Sequence, residues 1–274
     1  MRYFVAGEGE PVVLVHGLTG AAANWVEVAP ALTATRRVLV PDLPGHGGSG
    51  GLPAAPNLDA FAERVFLVME HEAMAPAAIV GHSLGGVVAL RLAIRRPASV
   101  AALVLAGSAG ISSSSRWAEF WISLFGLTRP GRRLAPYRER IISSTLLRKA
   151  IFTRWQVADP RSPSADGLEA LFVASPLHTD IVSAGEALVA EDPRPDLERV
   201  RCPALVLWGA RDLQVRIDDA FEYARRLRAP LRTIADCGHL LIVERPDACV
   251  HAIEEFLDGV RQLEELPLEP EPLA

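Results

Sequence analysis

Cysteine and long apolar runs are scarce in this sequence, and each shortage argues against a class of protein. The three cysteines, Cys202, Cys237 and Cys249, are odd in number and lack CxxC spacing, which argues against a disulfide framework or a structural zinc site. No apolar stretch reaches the roughly 20 residues that span a bilayer, and the first residues lack the pattern of a signal peptide. We therefore expect a cytoplasmic protein without stable membrane insertion.

An excess of basic residues is also missing. The net charge is −5 and the estimated pI is 5.8, which argues against a general affinity for the phosphates of nucleic acids. Half of the 274 residues are hydrophobic, so the chain can bury a substantial core without metal or disulfide support. We expect no nucleic-acid partner.

Short apolar runs alternate with stretches of helical periodicity along most of the chain. This alternation is typical of an α/β fold, with a mostly parallel central sheet and helices on both faces. Ligands bind at the carboxyl ends of the strands in such sheets, so the residues after each strand are the candidates for a site. The predicted strands are 11–15, 37–40, 77–80, 100–105, 204–208 and 231–234, and the predicted helices are 59–74, 84–96, 218–227 and 246–263.

The alternation stops between residues 112 and 195, where helical stretches are predicted at 116–126, 136–152 and 166–173. We interpret 112–195 as a helical insertion, or cap, in a core formed by 1–111 and 196–263. The end of the chain, 264–274, is acidic and rich in proline, and this composition predicts disorder.

A GxSxG motif supplies the first chemical signal. Gly81-His82-Ser83-Leu84-Gly85 follows a predicted strand and precedes a predicted helix. In that context the motif presents its serine on a tight turn at a helix N-terminus, where backbone N–H groups favour developing negative charge. We therefore predict that Ser83 is a nucleophile and that His82 is a structural hydrogen-bonding residue.

A serine nucleophile needs a base and a group that orients the base. His239 follows the last predicted strand, and Asp212 follows the strand 204–208, so both are expected at the same edge of the sheet as Ser83. We predict the triad Ser83, Asp212 and His239. Asp236 belongs to the approach to the loop that carries His239, which we call the histidine loop. Asp42 is assigned to fixing its own loop.

The transition state also needs an oxyanion hole. The segment 16–20, His-Gly-Leu-Thr-Gly, follows the first buried strand, and its glycines let the backbone approach closely. We predict that the backbone N–H groups of Leu18 and Leu84 are the two donors, and that His16 organises the loop. Trp25 either lines an acyl pocket or packs in the core, and the sequence favours neither.

Together these pieces resemble the α/β-hydrolase superfamily. The matching motifs are HGLTG at 16–20, PDLPGHGGS at 41–49, GHSLGG at 81–86, GARD at 209–212 and CGH at 237–239. The resemblance implies the α/β-hydrolase fold, with a helical cap at 112–195 that supplies much of the substrate pocket. A serine at the nucleophile position argues against the epoxide hydrolase and haloalkane dehalogenase branches. Leu240 stands where C–C bond hydrolases commonly place a tryptophan, and the first strand of the usual sheet is expected to be missing.

These inferences predict a serine esterase that cleaves a small-molecule ester with a small to medium, apolar acyl group and needs no cofactor or metal. We assign substrate binding to Trp25, Trp121 and Leu240. A lactonase, a thioesterase or a C–C hydrolase of meta-cleavage products would use the same machinery. Acyl transfer to an acceptor other than water and ligand binding without turnover are further alternatives. The sequence leaves the oligomeric state open.

Overall fold

The computed structural model describes residues 1–52, 57–113 and 128–265. Its centre is a seven-stranded sheet in the order β1-β3-β2-β4-β5-β6-β7. All neighbouring strands are parallel except β1, which runs antiparallel to β3. The strands are β1 Tyr3–Ala6, β2 Glu10–Val15, β3 Arg36–Pro41, β4 Ala77–His82, β5 Val100–Ala106, β6 Ala204–Gly209 and β7 Leu231–Ile234.

Helices connect the strands and fill the interval between β5 and β6. The α-helices are α1 Val28–Leu32, α2 Leu58–His71, α3 Leu84–Arg95, α4 Pro130–Leu134, α5 Arg138–Ser143, α6 Thr145–Ile151, α7 Ala165–Val173, α8 Ile181–Val189, α9 Ile217–Leu227, α10 Leu241–Glu244 and α11 Pro246–Glu264. In the described ranges, no helix is long and apolar enough to cross a membrane.

The core lies on both faces of the sheet because side chains of a strand alternate between faces. In β2, Val13 and Val15 belong to the apolar cluster under α2, α3 and α9, whereas Val12 and Leu14 belong to the cluster under α1 and α11. Burial on both faces explains why β2 is continuously apolar rather than alternating. The predicted α/β class is confirmed.

All six parallel strands were predicted from the sequence. Most of the predicted bounds differ from those in the structure by one or two residues. The sequence did not predict β1, although it left room for one strand before β2. In the described chain, β1 is the only strand that precedes β2.

The helix predicted at 136–152 is wrong in extent. A 3-10 turn at Ala135–Tyr137 precedes α5, and Ser144 adopts an extended conformation (φ −109°, ψ 114°) between α5 and α6. Pro136 lacks the backbone donor that a helix interior needs, and Ser144 caps α6 by accepting from the N–H of Leu147. The predicted helix 116–126 lies outside the described residues, as does nearly all of the predicted tail 264–274.

The cysteines are free thiols, and Cys237 and Cys249 are buried. Burial raises the pKa of Cys237 to about 12 and that of Cys202 to about 11. The raised pKa values of Cys237 and Cys202 favour the protonated form of both thiols at neutral pH.

Candidate active site

The turn from β4 to α3 holds Ser83 in a conformation that serine rarely adopts. Its φ is +54° and its ψ is −118°, in the strained region that is tolerated where the surroundings enforce it. A Cβ atom on Gly81 would lie 2.2 Å from the carbonyl oxygen of Gly85, and one on Gly85 would lie 2.2 Å from that of Val15. Because these neighbours are backbone atoms, the two motif glycines are required by close packing.

Ser83, His239 and Asp212 form a continuous hydrogen-bonded chain. His239 Nε2 lies 3.0 Å from Ser83 Oγ, and His239 Nδ1 lies 2.8 Å from Asp212 Oδ2. All three residues are buried, with exposed fractions of 6%, 2% and 7%. The carboxylate can accept only from an Nδ1–H, so it favours the tautomer in which Nε2 is free to accept the serine proton. The structure thus brings together the three residues that the sequence singled out.

The loop after β6 fixes Asp212. Its Oδ1 accepts hydrogen bonds from the backbone N–H groups of Gln214 and Val215, at 2.8 and 2.9 Å. The other oxygen is left to face His239. The carboxylate is therefore oriented before any substrate arrives.

His82 forms a hydrogen bond with the backbone of the base, His239. Its Nε2 lies 2.9 Å from the carbonyl oxygen of His239 and donates to it. Burial and, to a smaller extent, nearby His239 together lower the pKa of His82 to about 3. His82 is therefore a neutral donor that fixes the histidine loop, in agreement with the structural role predicted for it.

The predicted oxyanion donors lie on two segments that meet at Ser83. Leu84 is the first residue of α3, so its N–H is among those that a helix leaves without an intrahelical acceptor. Leu18 follows Gly17, whose ideal Cβ position is 3.0 Å from Ser83 Cβ. His16 fixes this loop, because its Nε2 accepts from the N–H of Leu43 and its Nδ1 donates to the carbonyl of Gly17, both at 2.9 Å. The roles of Leu18 and Leu84 stay predictions.

The three predicted substrate-binding residues have different positions. Trp25 is fully buried in the apolar cluster under α1 and α11, a position that fits the packing alternative. Leu240 is half-buried, contacts the small cluster formed by α5 to α7, and donates its N–H to the carbonyl of Gln156 at 2.9 Å. Trp121 lies outside the described residues.

Glu244 is a buried residue of the site region that the sequence analysis missed. It lies at the end of α10 and is 2% exposed. Its Oε2 accepts from the N–H groups of Gly238 and Ala158, at 2.7 and 3.0 Å, and its Oε1 accepts from that of Asp159 at 2.8 Å. One carboxylate thereby joins the histidine loop to the helical insertion. The available signal in the sequence was a lone acidic residue after four apolar ones, 240–243.

Gly107 is a second residue that the sequence analysis missed. It directly follows β5 and has a φ of +55°, and an added Cβ would lie 3.6 Å from His239 Nδ1 and 3.7 Å from Asp212 Oδ2. The glycine therefore lets the chain turn directly beside the pair formed by the base and the acid. A glycine at the end of a predicted strand was the only signal.

Asp42 and three histidines, His16, His46 and His178, lie between the loop after β2 and the loop after β3. Asp42 accepts from the N–H groups of Ala22 and Gly48, both at 2.8 Å, which is the loop-fixing role predicted for it. The rings of His16 and His46 lie 5.2 Å apart, and those of His46 and His178 lie 5.6 Å apart. Burial lowers the pKa of His16 and of His46 to about 3, so this cluster is neutral at physiological pH.

The order of strands, the serine turn and the placement of acid and base are those of one fold family. The family model described as "alpha/beta hydrolase fold" matches residues 10–246. The chain belongs to the α/β-hydrolase fold family.

Several characterised bacterial proteins are similar to this chain. A pimeloyl-[acyl-carrier protein] methyl ester esterase of Aromatoleum aromaticum is 31% identical, over 90% of this chain and 98% of its own length. A dihydrolipoyllysine-residue acetyltransferase component of the acetoin cleaving system of Pseudomonas putida is 30% identical, over 94% of this chain, but the chain spans only 66% of it. A 2-hydroxymuconate semialdehyde hydrolase of a Pseudomonas strain is 28% identical, over 92% of this chain and 88% of its own length.

Solved structures show the same architecture. The thermophilic esterase from Thermogutta terrifontis superposes with a TM-score of 0.75 at 24% identity and covers 94% of this chain and 93% of its own. The enol-lactonase from Burkholderia xenovorans superposes with a TM-score of 0.71 at 26% identity and covers 94% and 96%. These likenesses show the α/β-hydrolase fold, and the chemistry must be argued from the site.

Proposed function

We propose that the protein is a serine esterase that hydrolyses small-molecule carboxylic esters with small to medium, apolar acyl groups. The observation that carries this proposal is the chain Ser83 Oγ, His239 Nε2, His239 Nδ1 and Asp212 Oδ2, with donor–acceptor distances of 3.0 and 2.8 Å. A nucleophile, a base and an orienting carboxylate within hydrogen-bond distance are the arrangement that acyl transfer requires.

The first half of the reaction forms an acyl-enzyme. Ser83 Oγ attacks the ester carbonyl while His239 Nε2 accepts the hydroxyl proton. Asp212 stabilises the resulting imidazolium, and the N–H groups of Leu18 and Leu84 donate to the oxyanion of the tetrahedral intermediate. When the C–O bond breaks, His239 gives its proton to the departing alcohol, so the serine ester and the free alcohol are the products.

In the second half, water hydrolyses the acyl-enzyme. His239 removes a proton from the water as it attacks the acyl carbonyl, and the proton returns to Ser83 Oγ when the carboxylic acid leaves. The cycle consumes one ester and one water and releases one alcohol and one carboxylic acid. It needs no cofactor, because every proton moves among Ser83, His239, water and the departing alcohol.

Two observations support an apolar ester as the substrate. The 31% identical relative from Aromatoleum aromaticum is, by name, a methyl ester esterase, and the chain covers almost all of it. Half-buried Leu240 lies directly after the base and contacts the apolar cluster of the helical insertion. In this proposal 112–195 form a cap over Ser83 and 1–111 with 196–263 form the catalytic core.

Release of p-nitrophenol from acetyl to octanoyl esters tests the proposal. We expect the parent protein to hydrolyse these esters and Ser83→Ala to lose at least 10³-fold of kcat, since the nucleophile is absent. Ser143→Ala, at an exposed serine, is the matched control and keeps the parental rate. No release by the parent, or equal release by the parent and Ser83→Ala, would contradict the proposal.

A substrate panel separates esterase activity from the other reactions of the same machinery. The panel compares kcat/KM for an ester, a lactone, a thioester and a vinylogous diketone of similar size. We expect the ester to give the highest value. The highest value for the diketone would contradict this and favour C–C hydrolysis, the activity for which the 28% identical relative is named. Tight binding of an ester without turnover would favour a ligand-binding protein instead.

A further inference from the structure

One segment of this acidic protein is strongly basic. The segment 129–154 contains eight cationic residues and one acidic residue, Glu139, although the whole chain has a net charge of −5. The cationic residues are Arg129, Arg132, Arg133, Arg138, Arg140, Arg148, Lys149 and Arg154. We call the exposed part of this segment, from Arg129 through α4, α5 and α6 to Trp155, the basic surface.

Most of these cations have no partner in the described part of the chain. Arg138 pairs with Glu169 and Glu139, and Arg148 donates to backbone carbonyls. The other six are exposed and make neither an ion pair nor a side-chain hydrogen bond with any described residue. Elsewhere arginines commonly pair, as Arg91 does with Glu191 and Asp196. The basic surface therefore carries positive charge that the described fold does not neutralise.

Large apolar side chains are also exposed between Arg129 and Trp155, on α6 and in the turns before α5 and after α6. Leu146 is 80% exposed, Trp155 63% and Tyr137 62%. They are not needed for the packing of the insertion, because the inner faces of α5 to α7 already form their own cluster around Ile141 and Phe152. Exposed leucine and aromatic side chains among unpaired cations are typical of segments that lie in the headgroup region of an anionic bilayer.

The basic surface is adjacent to the candidate active site. Trp155 ends it, and the next residue, Gln156, accepts the backbone hydrogen bond of Leu240, which directly follows His239. A lipid surface that contacts Trp155 would lie near the histidine loop, where an apolar ester dissolved in the bilayer could reach Ser83.

We propose that the basic surface docks the protein reversibly on anionic lipid membranes. Arginine and lysine contact the headgroup phosphates, and Tyr137, Leu146 and Trp155 enter the interfacial layer. This docking does not depend on the proposed esterase activity, so Ser83→Ala is expected to bind membranes like the parent. The insertion of side chains is shallow, as for other peripheral proteins that combine charge with a few apolar contacts.

Sedimentation with lipid vesicles tests the docking. We expect the full-length protein to bind vesicles of phosphatidylcholine with 30 mol% phosphatidylglycerol, at least tenfold more tightly than pure phosphatidylcholine vesicles. The binding is expected to weaken at least tenfold between 50 and 500 mM NaCl, because salt screens charge. Equal binding to both vesicle types, or no binding to either, would overturn the proposal.

Charge-matched variants locate the binding site. Arg132→Glu with Arg140→Glu is compared with Arg64→Glu and Arg201→Glu, two exposed arginines outside the basic surface, so that both double variants have the same net charge. We expect the Arg132→Glu/Arg140→Glu variant to lose at least tenfold in affinity for anionic vesicles, and the Arg64→Glu/Arg201→Glu variant to lose at most twofold. Equal losses would overturn the proposed location.

A second pair of variants tests the apolar contribution. Trp155→Ala is compared with Phe221→Ala, another exposed aromatic residue (58% exposed) on α9. Only Trp155→Ala is expected to weaken vesicle binding. The tryptophan emission of the parent is expected to shift to shorter wavelength on binding, and this shift is expected to be smaller in Trp155→Ala. Binding to soluble poly-glutamate but not to anionic vesicles would contradict the lipid proposal and favour an acidic protein partner.

Discussion

At the scale of single residues, the site depends on how three side chains are held. Each follows a strand of the parallel sheet: Ser83 after β4, Asp212 after β6 and His239 after β7. Their positions could be predicted from the sequence because strand ends of a parallel sheet meet at one edge. Glu244 and Gly107 could not, since their roles arise only from contacts between segments that are distant along the chain.

Asp212→Asn tests the role of the acid without changing its shape. An amide at this position can donate to His239 Nδ1, which favours the tautomer with the proton on Nε2, the wrong atom for accepting from Ser83. We expect kcat for p-nitrophenyl esters to fall by roughly 10³–10⁴-fold, with a small change in KM. Asp218→Asn, on the exposed start of α9, is the control. A loss below tenfold would show that Asp212 does not orient the base.

At the scale of elements, hydrogen bonds through Glu244 connect the histidine loop with the helical insertion. Glu244 accepts from Gly238 on the loop and from Ala158 and Asp159 in the insertion. Gly238 also packs so closely that an added Cβ would lie 2.8 Å from the Ala158 backbone nitrogen. Movement of this part of the insertion would therefore move the loop that carries the base.

Glu244→Gln tests this coupling. Glutamine has one acceptor oxygen, so its amide group would face at least one of the three N–H donors. We expect kcat to fall about tenfold or more while KM changes little, and the unfolding free energy to fall by about 1–3 kcal/mol. Glu191→Gln, at a buried glutamate bonded to Arg91, should lose stability but keep kcat. Equal kcat in the two variants would mean that Glu244 only stabilises the fold.

The insertion is also the element for which sequence reasoning was least accurate. The apolar periodicity of 136–152 predicts one helix, whereas the structure has a 3-10 turn and two short helices. α8 was missed entirely. The strands of the core could be predicted because burial on both faces of the sheet requires continuous apolar runs. The bounds of the helices in the insertion depend instead on how these helices pack on one another and on the core loops. A single sequence does not reveal that packing.

At the scale of the whole molecule, buried neutral histidines make stability depend on pH. Burial holds the pKa of His16, His46 and His82 at about 3 in the folded state, below the value near 6.5 of an unfolded chain. The unfolded chain therefore binds more protons below pH 6.5. Above pH 6.5 these histidines are neutral in both states, and their contribution to the unfolding free energy is fully present. This contribution is lost as the pH falls from 6.5 towards 3, because the unfolded chain binds protons that the folded chain does not.

Urea denaturation at pH 7.0 and pH 5.0 measures this effect. We expect the unfolding free energy to be lower at pH 5.0, by on the order of 2 kcal/mol for each buried histidine. His46→Asn should reduce the difference between the two pH values, because it removes one titrating group. His251→Asn, at an exposed histidine, should leave the difference unchanged. Equal stability of the parent at both pH values would contradict the neutral cluster.

The central claim is that Ser83, activated by His239, is the nucleophile. Its most direct test is mass spectrometry of the protein after exposure to a p-nitrophenyl alkylphosphonate, which loses p-nitrophenol when an activated serine attacks phosphorus. We expect one adduct per chain, located on the peptide that contains Ser83, and a rate of labelling at least 10²-fold slower in His239→Ala. An unlabelled Ser83, or the same labelling rate in His239→Ala, would contradict it.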